Sequence, residues 1–140
     1  MKVRRERAVD AGADAIWRVA ADPYHLPRWW PRAQRVEAVR PDGWTVVLGT
    51  DRGRGVRADY TLLAEEPYRR VWALEIEGTP FERIFSRQVT TLEVADGRIA
   101  LAIDQRPRRF ARFGGFLMRR GTARNLDEAL DSLAELVSGV

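Results

Sequence analysis

The chain has no cysteine among its 140 residues, which excludes disulfides, thiol nucleophiles and zinc–thiolate sites. Histidine is nearly absent: His25 is the only one, which argues against a dedicated transition-metal centre. Lys2 is the only lysine, so arginine supplies almost all the positive charge. The net charge is only +4, from 24 basic and 20 acidic residues, which is weak ground for an anionic partner. No run approaches the ~18 apolar residues of a membrane span. The basic N-terminus lacks the apolar core of a signal peptide, so the cytoplasm is the default location. There is no repeat, low-complexity tract or linker. What remains, 45% hydrophobic and 31% charged residues, suits one soluble domain over residues 1–140 that buries roughly two-thirds of its unfolded surface.

The chain is organised around Arg119 to Val137. Leu126, Leu130, Leu133 and Val137 follow at steps of four, three and four, with Ala129 and Ala134 beside them. This is one apolar stripe at helical period. Arg120 and Arg124 lead the opposite side, and Asp127, Glu128, Asp131 and Glu135 close it. That order opposes the helix macrodipole, so packing must secure the helix. Burying the four large residues contributes about 6–12 kcal/mol before entropy is subtracted.

Upstream, residues 3–10 read as a short polar strand with Val3 and Val9 as apolar points. Ala13 to Ala21 reads as a helix, and Pro23 and Pro27 permit only a short helical turn before Trp29-Trp30-Pro31. From Val36 to Ile103 the period changes to two. Turns at Pro41-Asp42-Gly43, Glu66-Pro67-Tyr68 and Asp96-Gly97 divide strands near 34–40, 44–50, 54–65, 69–77, 82–95 and 98–106. Val56, Ala58, Tyr60 and Leu62 alternate with Arg57, Asp59 and Thr61; Trp72, Leu74 and Ile76 alternate with Ala73, Glu75 and Glu77. Each strand thus has one dry and one wet face, as in an antiparallel sheet covered on one side. Asp96-Gly97 is the favoured two-residue hairpin turn. It sets Val94 opposite Ile99, Leu92 opposite Leu101, Thr90 opposite Ile103 and Gln88 opposite Gln105. The dry face then turns polar away from the turn, at Thr90, Gln88, Gln105 and Ser86, unless a bulge flips the distal residues. The expected fold is α+β. A curved antiparallel sheet of about seven strands wraps a long C-terminal helix, with two short helices after the first strand.

Across its full length the chain resembles the START-like, or polyketide cyclase/dehydrase-like (SRPBCC), superfamily with the helix-grip fold. The residues that carry the resemblance are Ala13-Asp14-Ala15-Ile16-Trp17-Arg18-Val19-Ala20-Ala21-Asp22 followed by Trp29, the Glu66-Pro67 turn and the closing Leu126–Val137 helix. The resemblance implies a cavity between sheet and helix for an apolar or aromatic small molecule, lipid- or polyketide-like. Family members include carriers, cyclases, hydrolases and co-chaperones, so the fold does not settle the function.

Candidate cavity residues are Trp29, Trp30, Tyr60 and Trp72 as aromatic walls with a polar atom each. Gln88 and Gln105 are polar anchors, whose burial demands each other, water or a ligand as partner. Met118 and Thr122 lie on the long helix. Small residues at Gly114, Gly115, Gly121, Thr122 and Ala123 would leave volume under the helix's first half, or merely loosen its start. Phe110, Phe113 and Leu117 form a second stripe pointing nearly opposite to Leu126. One straight helix cannot bury both, so a break at Gly114-Gly115 is expected, with residues 108–117 as a lid. His25 lacks a visible nucleophile or orienting carboxylate and fits a surface or capping role better than that of a general base. No catalytic constellation, cofactor or metal site is identifiable. The leading function is small-molecule binding. A cyclase or dehydratase using the same cavity is the alternative, and a third reading is membrane-surface or nucleic-acid binding through the basic segment Arg106–Arg124. Sequence-specific nucleic-acid binding is not expected there, and a homodimer is a further candidate assembly.

Overall fold

The computed structural model describes every residue except 109–110 and 139–140, and the backbone alone at 111–113. The order is β1 (Lys2–Ala8), α1 (Ala13–Ala20), α2 (Leu26–Trp29), β2 (Ala33–Arg40), β3 (Gly43–Leu48), β4 (Val56–Glu66), β5 (Arg69–Leu74), β6 (Phe85–Ala95), β7 (Arg98–Pro107) and α3 (Ala111–Ser138), with 3-10 turns at Pro23–His25 and Pro80–Arg83. One antiparallel sheet runs β1-β7-β6-β5-β4-β3-β2. β2 to β7 form a meander of successive hairpins, and β1 returns to pair with β7. This is the α+β helix-grip architecture that the hydrophobic periodicity predicts.

The apolar stripe of α3 closes the fold. Leu126, Ala129, Leu130, Leu133 and Val137 are all buried, in one cluster with Leu92, Val94, Ile99 and Leu101 from the inner face of β6 and β7. β1 adds a second hold that the sequence pattern hides. Val3, Arg5 and Arg7 share its inner face. Val3 enters the core, Arg5 pairs with Asp127 at 3.5 Å and Arg7 pairs with Asp131. The carboxylates that oppose the helix dipole are therefore matched from an edge strand.

The β6–β7 hairpin keeps the expected register from Val94–Ile99 through Gln88–Gln105. Gly97 takes φ +74° in its turn, a backbone region that costs glycine nothing. The same turn anchors α1. Gly12 offers no side-chain cap, and Asp96 Oδ1 accepts instead from the Ala13 N–H at 2.7 Å, where a carboxylate suits the helix N-terminus.

Three expectations are corrected. β5 ends at Leu74 and β6 begins at Phe85, not at 77 and 82. Thr79 caps a 3-10 turn by accepting from the Phe81 N–H at 3.2 Å, and Pro80 fits the first position of that turn. Second, β6 shifts register between Phe85 and Arg87. The bulge sends Ser86 to the surface, where its hydroxyl donates to the Arg106 carbonyl. Third, α3 runs unbroken through Gly114 and Gly115. The clash between stripes is resolved by exposure, with Leu117 66% and Phe116 72% accessible. Phe110 and the Phe113 side chain lie outside the described residues.

Because Leu130 is fully buried against the sheet, Leu130→Ala should cost roughly 2–5 kcal/mol. Denaturant melts check this, and a loss under about 1 kcal/mol would contradict the packing described.

Candidate ligand cavity

Where the leucines of α3 give way to Thr122 and Asn125, a cavity of about 300 Å³ opens between helix and sheet. Ile103 and Gln105 on β7, Phe85 and Gln88 on β6, and Leu74, Val56 and Tyr60 on β5 and β4 form its sheet wall. Two connections complete it: Trp30-Pro31-Arg32 after α2, and Leu48-Gly49-Thr50 after β3, with Phe81 from the 3-10 turn. Gly49 and Thr50 lie where the sequence pattern prolonged the third strand to residue 50, past its end at Leu48, and both line the cavity.

Five of the sequence candidates meet here: Trp30, Tyr60, Gln88, Gln105 and Thr122. The remaining three do not. Trp29 and Trp72 are buried in the core, and Met118 lies one turn before Thr122 without reaching the wall. The two tryptophans brace the wall from behind. Trp29 meets Trp30 edge-on at 5.6 Å, Trp30 meets Trp72 at 6.5 Å, Trp72 meets Trp44 at 5.7 Å, and Trp44 meets Tyr60 at 6.3 Å. This connected set of aromatic contacts fixes the two members that do line the cavity, Trp30 and Tyr60. Gly114, Gly115 and Gly121 leave open space at their missing Cβ positions and are not on the wall. The volume arises under Thr122 and Asn125 instead.

Gln105 is buried, and its Nε2 donates to Thr122 Oγ1 at 2.7 Å. Its amide is thus satisfied by the helix and not by Gln88, its neighbour across the hairpin. Gln88 is half-buried on the cavity wall. Thr90, also on the inner face, is buried beyond the cavity.

Arg32 was not among the candidates. It takes φ +65° in the turn Trp30–Ala33, closed by the Ala33 N–H donating to the Trp30 carbonyl at 3.2 Å. With Pro31 before it, this is the type II pattern that ordinarily places glycine at that position. A left-handed conformation costs a residue with a Cβ roughly 1–2 kcal/mol. Asn125 could have been found from its helical spacing to Thr122, and Phe81 and Phe85 from the turn at Thr79-Pro80. Arg32 carries no such signal.

His25 lies outside the cavity. Its Nδ1 donates to the Val19 carbonyl at 3.1 Å, near the end of α1, and its Nε2 is 3.8 Å from Asp22. That is a capping role. The described arginines of the basic segment lie outside the cavity wall: Arg108 donates to the Glu82 carbonyl at 2.9 Å and Arg119 to the Lys2 carbonyl at 3.1 Å. Among the described residues no three His, Cys, Asp or Glu side chains gather as metal ligands, and no helix is long and apolar enough to cross a membrane.

Among the described residues Tyr60 and Arg32 are the ionisable groups on the wall. Burial pushes the Tyr60 hydroxyl up to about 12, so it stays a neutral phenol at physiological pH.

The fold and this cavity define a helix-grip domain. The sequence matches the family described as polyketide cyclase / dehydrase and lipid transport over residues 1–138, and the chain belongs to that family. Among curated proteins none matches. Solved structures share the fold. A START superfamily protein from Mycobacterium smegmatis is 14% identical with a TM-score of 0.75, covering 99% of this chain and 97% of that one. The Zhui aromatase/cyclase from Streptomyces is 18% identical with a TM-score of 0.74, covering 98% and 93%. A Thermus thermophilus protein is 20% identical with a TM-score of 0.74, covering 98% and 97%.

The Tyr60 environment has a measurable consequence. Between pH 10.0 and about 12 the unfolded chain releases this proton while the folded chain keeps it. The stabilisation is therefore fully present below 10 and is lost as pH rises through 12, by about 2–3 kcal/mol. Denaturant melts across that window should show the loss in the wild type and a smaller one in Tyr60→Phe.

Proposed function

We propose that the protein binds a small apolar or aromatic molecule, lipid- or polyketide-like, in the cavity beneath the first half of α3. The observation that carries this reading is the composition of the wall. Trp30, Phe81, Phe85, Leu74 and Ile103 present apolar surface, and Gln88, Gln105 and Thr122 present a few polar atoms. Such walls take up apolar bodies by burial and orient them with a small number of hydrogen bonds. A volume of about 300 Å³ stands at the lower end of small-molecule sites, which favours a compact ring system or a short chain over a long acyl lipid.

The family description also admits cyclase and dehydrase chemistry. A dehydration or ring closure needs a proton acceptor beside the reacting carbon. Among the described residues the wall offers a phenol held neutral and a guanidinium, with no carboxylate or imidazole. Binding is therefore the function supported best.

Native mass spectrometry of the purified protein, with the uncharged dye N-phenyl-1-naphthylamine added, tests this. One dye per chain is expected. Val56→Trp, which fills the cavity from β4, should abolish that complex while circular dichroism shows an intact fold. Undiminished dye binding in the filled variant would overturn the assignment to this cavity.

A further inference from the structure

Among the described residues Arg32 is the only charged residue on the cavity wall, and no carboxylate faces it there. Its side chain is 60% exposed, which places it at the mouth and not in the depth. Among the described residues its ionic partner is Asp51, at 3.1 Å and 88% exposed. An ion pair so open to water holds its partner weakly. A guanidinium has five N–H donors in a rigid fork, so most of its donors remain for a further acceptor.

The backbone under this side chain is both strained and locked. The left-handed conformation of Arg32 would suit glycine. The turn is nevertheless pinned on both sides, by the Ala33–Trp30 hydrogen bond and by the Gly49 N–H donating to the Arg32 carbonyl at 2.7 Å. Gly49 itself lines the cavity. Backbone strain held in place by its surroundings clusters at ligand clamps and functional sites.

We infer that the ligand carries an anionic group, such as a carboxylate or an acidic enol, and that Arg32 holds this group at the mouth while the apolar body enters the cavity. The inference rests on the binding function proposed above and specifies its ligand class. The neutral polar groups deeper in, Gln88 and the Gln105–Thr122 pair, then meet uncharged oxygens of the ligand. A carboxylate can engage the remaining guanidinium donors in bidentate fashion.

The test uses two dyes with one aromatic skeleton: 8-anilinonaphthalene-1-sulfonate, an anion, and uncharged N-phenyl-1-naphthylamine. Fluorescence titrations of the full chain should show Arg32→Gln weakening the sulfonate about tenfold, as expected for a charge-assisted hydrogen bond, and the neutral dye less than about twofold. Arg32→Gly should do the same and also raise the melting temperature, because it relieves the turn. Arg120→Gln, in the separate basic groove lined by Lys2, Arg5, Phe116 and Arg119, should change neither dye. If both dyes bind and Arg32→Gln weakens them alike or not at all, the anion assignment is overturned while binding stands. A sulfonate loss in Arg120→Gln instead of Arg32→Gln overturns it equally. If neither dye binds the wild type, the binding function itself falls, and the anion assignment with it.

Discussion

The closure of α3 against the inner face of the sheet is the interaction on which the rest depends. Leu126, Leu130, Leu133 and Val137 meet Leu92, Val94, Ile99 and Leu101 in one buried cluster. Without that surface the sheet would expose its dry face, and the helix would face its own unfavourable dipole. The arginines of β1 act on the same contact. Arg5 and Arg7 reach Asp127 and Asp131 from the sheet edge, so apolar burial and ion pairing converge on the same turns of the helix. Exposed pairs of this kind contribute little singly; the apolar stripe supplies most of the hold.

The cavity exists because that packing is uneven along α3. Large side chains fill the space under its second half, and Thr122 and Asn125 stand where leucines would close the first. The opposite wall cannot collapse inward, because Trp29, Trp72 and Trp44 support Trp30 and Tyr60 from behind. Arg70 ties the same aromatics to α1. Its guanidinium stacks 5.7 Å from Trp17 and 5.9 Å from Trp44, donates to the Ala21 carbonyl and pairs with Glu65. A cation at that position also suits the C-terminus of α1. The volume is thus framed by rigid neighbours.

Chemistry on the wall follows from the same unevenness. Polar side chains appear where the hairpin leaves the core, at Gln88 and Gln105, and one of these is satisfied by Thr122 across the gap. Among the described residues the one wall cation comes from a turn between elements and not from the sheet. Loops are where strain and ligand contact are commonly placed, and Arg32 combines the two.

Periodicity in the sequence was sufficient for the architecture. The step of three and four made α3, the step of two made the strands, and Asp96-Gly97 set the β6–β7 register to Gln88–Gln105 because a two-residue turn admits one pairing. The same register brought Gln105 to the cavity, and aromatic alternation brought Tyr60. Local pattern could not separate Trp30 from Trp29, or Tyr60 from Trp72, since both members of each pair are large aromatics at or near the dry face. Which one borders empty space depends on what stands opposite. Ser86 was misplaced because a bulge is a two-strand event with no one-strand signature. The break at Gly114-Gly115 did not occur because glycine permits a break without requiring one, and solvent accepts Leu117. Arg32 was silent for a related reason. Pro31 marks a turn, but arginine at the next position does not mark a left-handed residue, and the turn is pinned from a different connection by the Gly49 N–H. The sequence by itself determined the elements, their faces and the register of the last hairpin, which are set by contacts between near neighbours. Only the tertiary structure decided the cavity, because an unfilled volume belongs to no single segment of the chain.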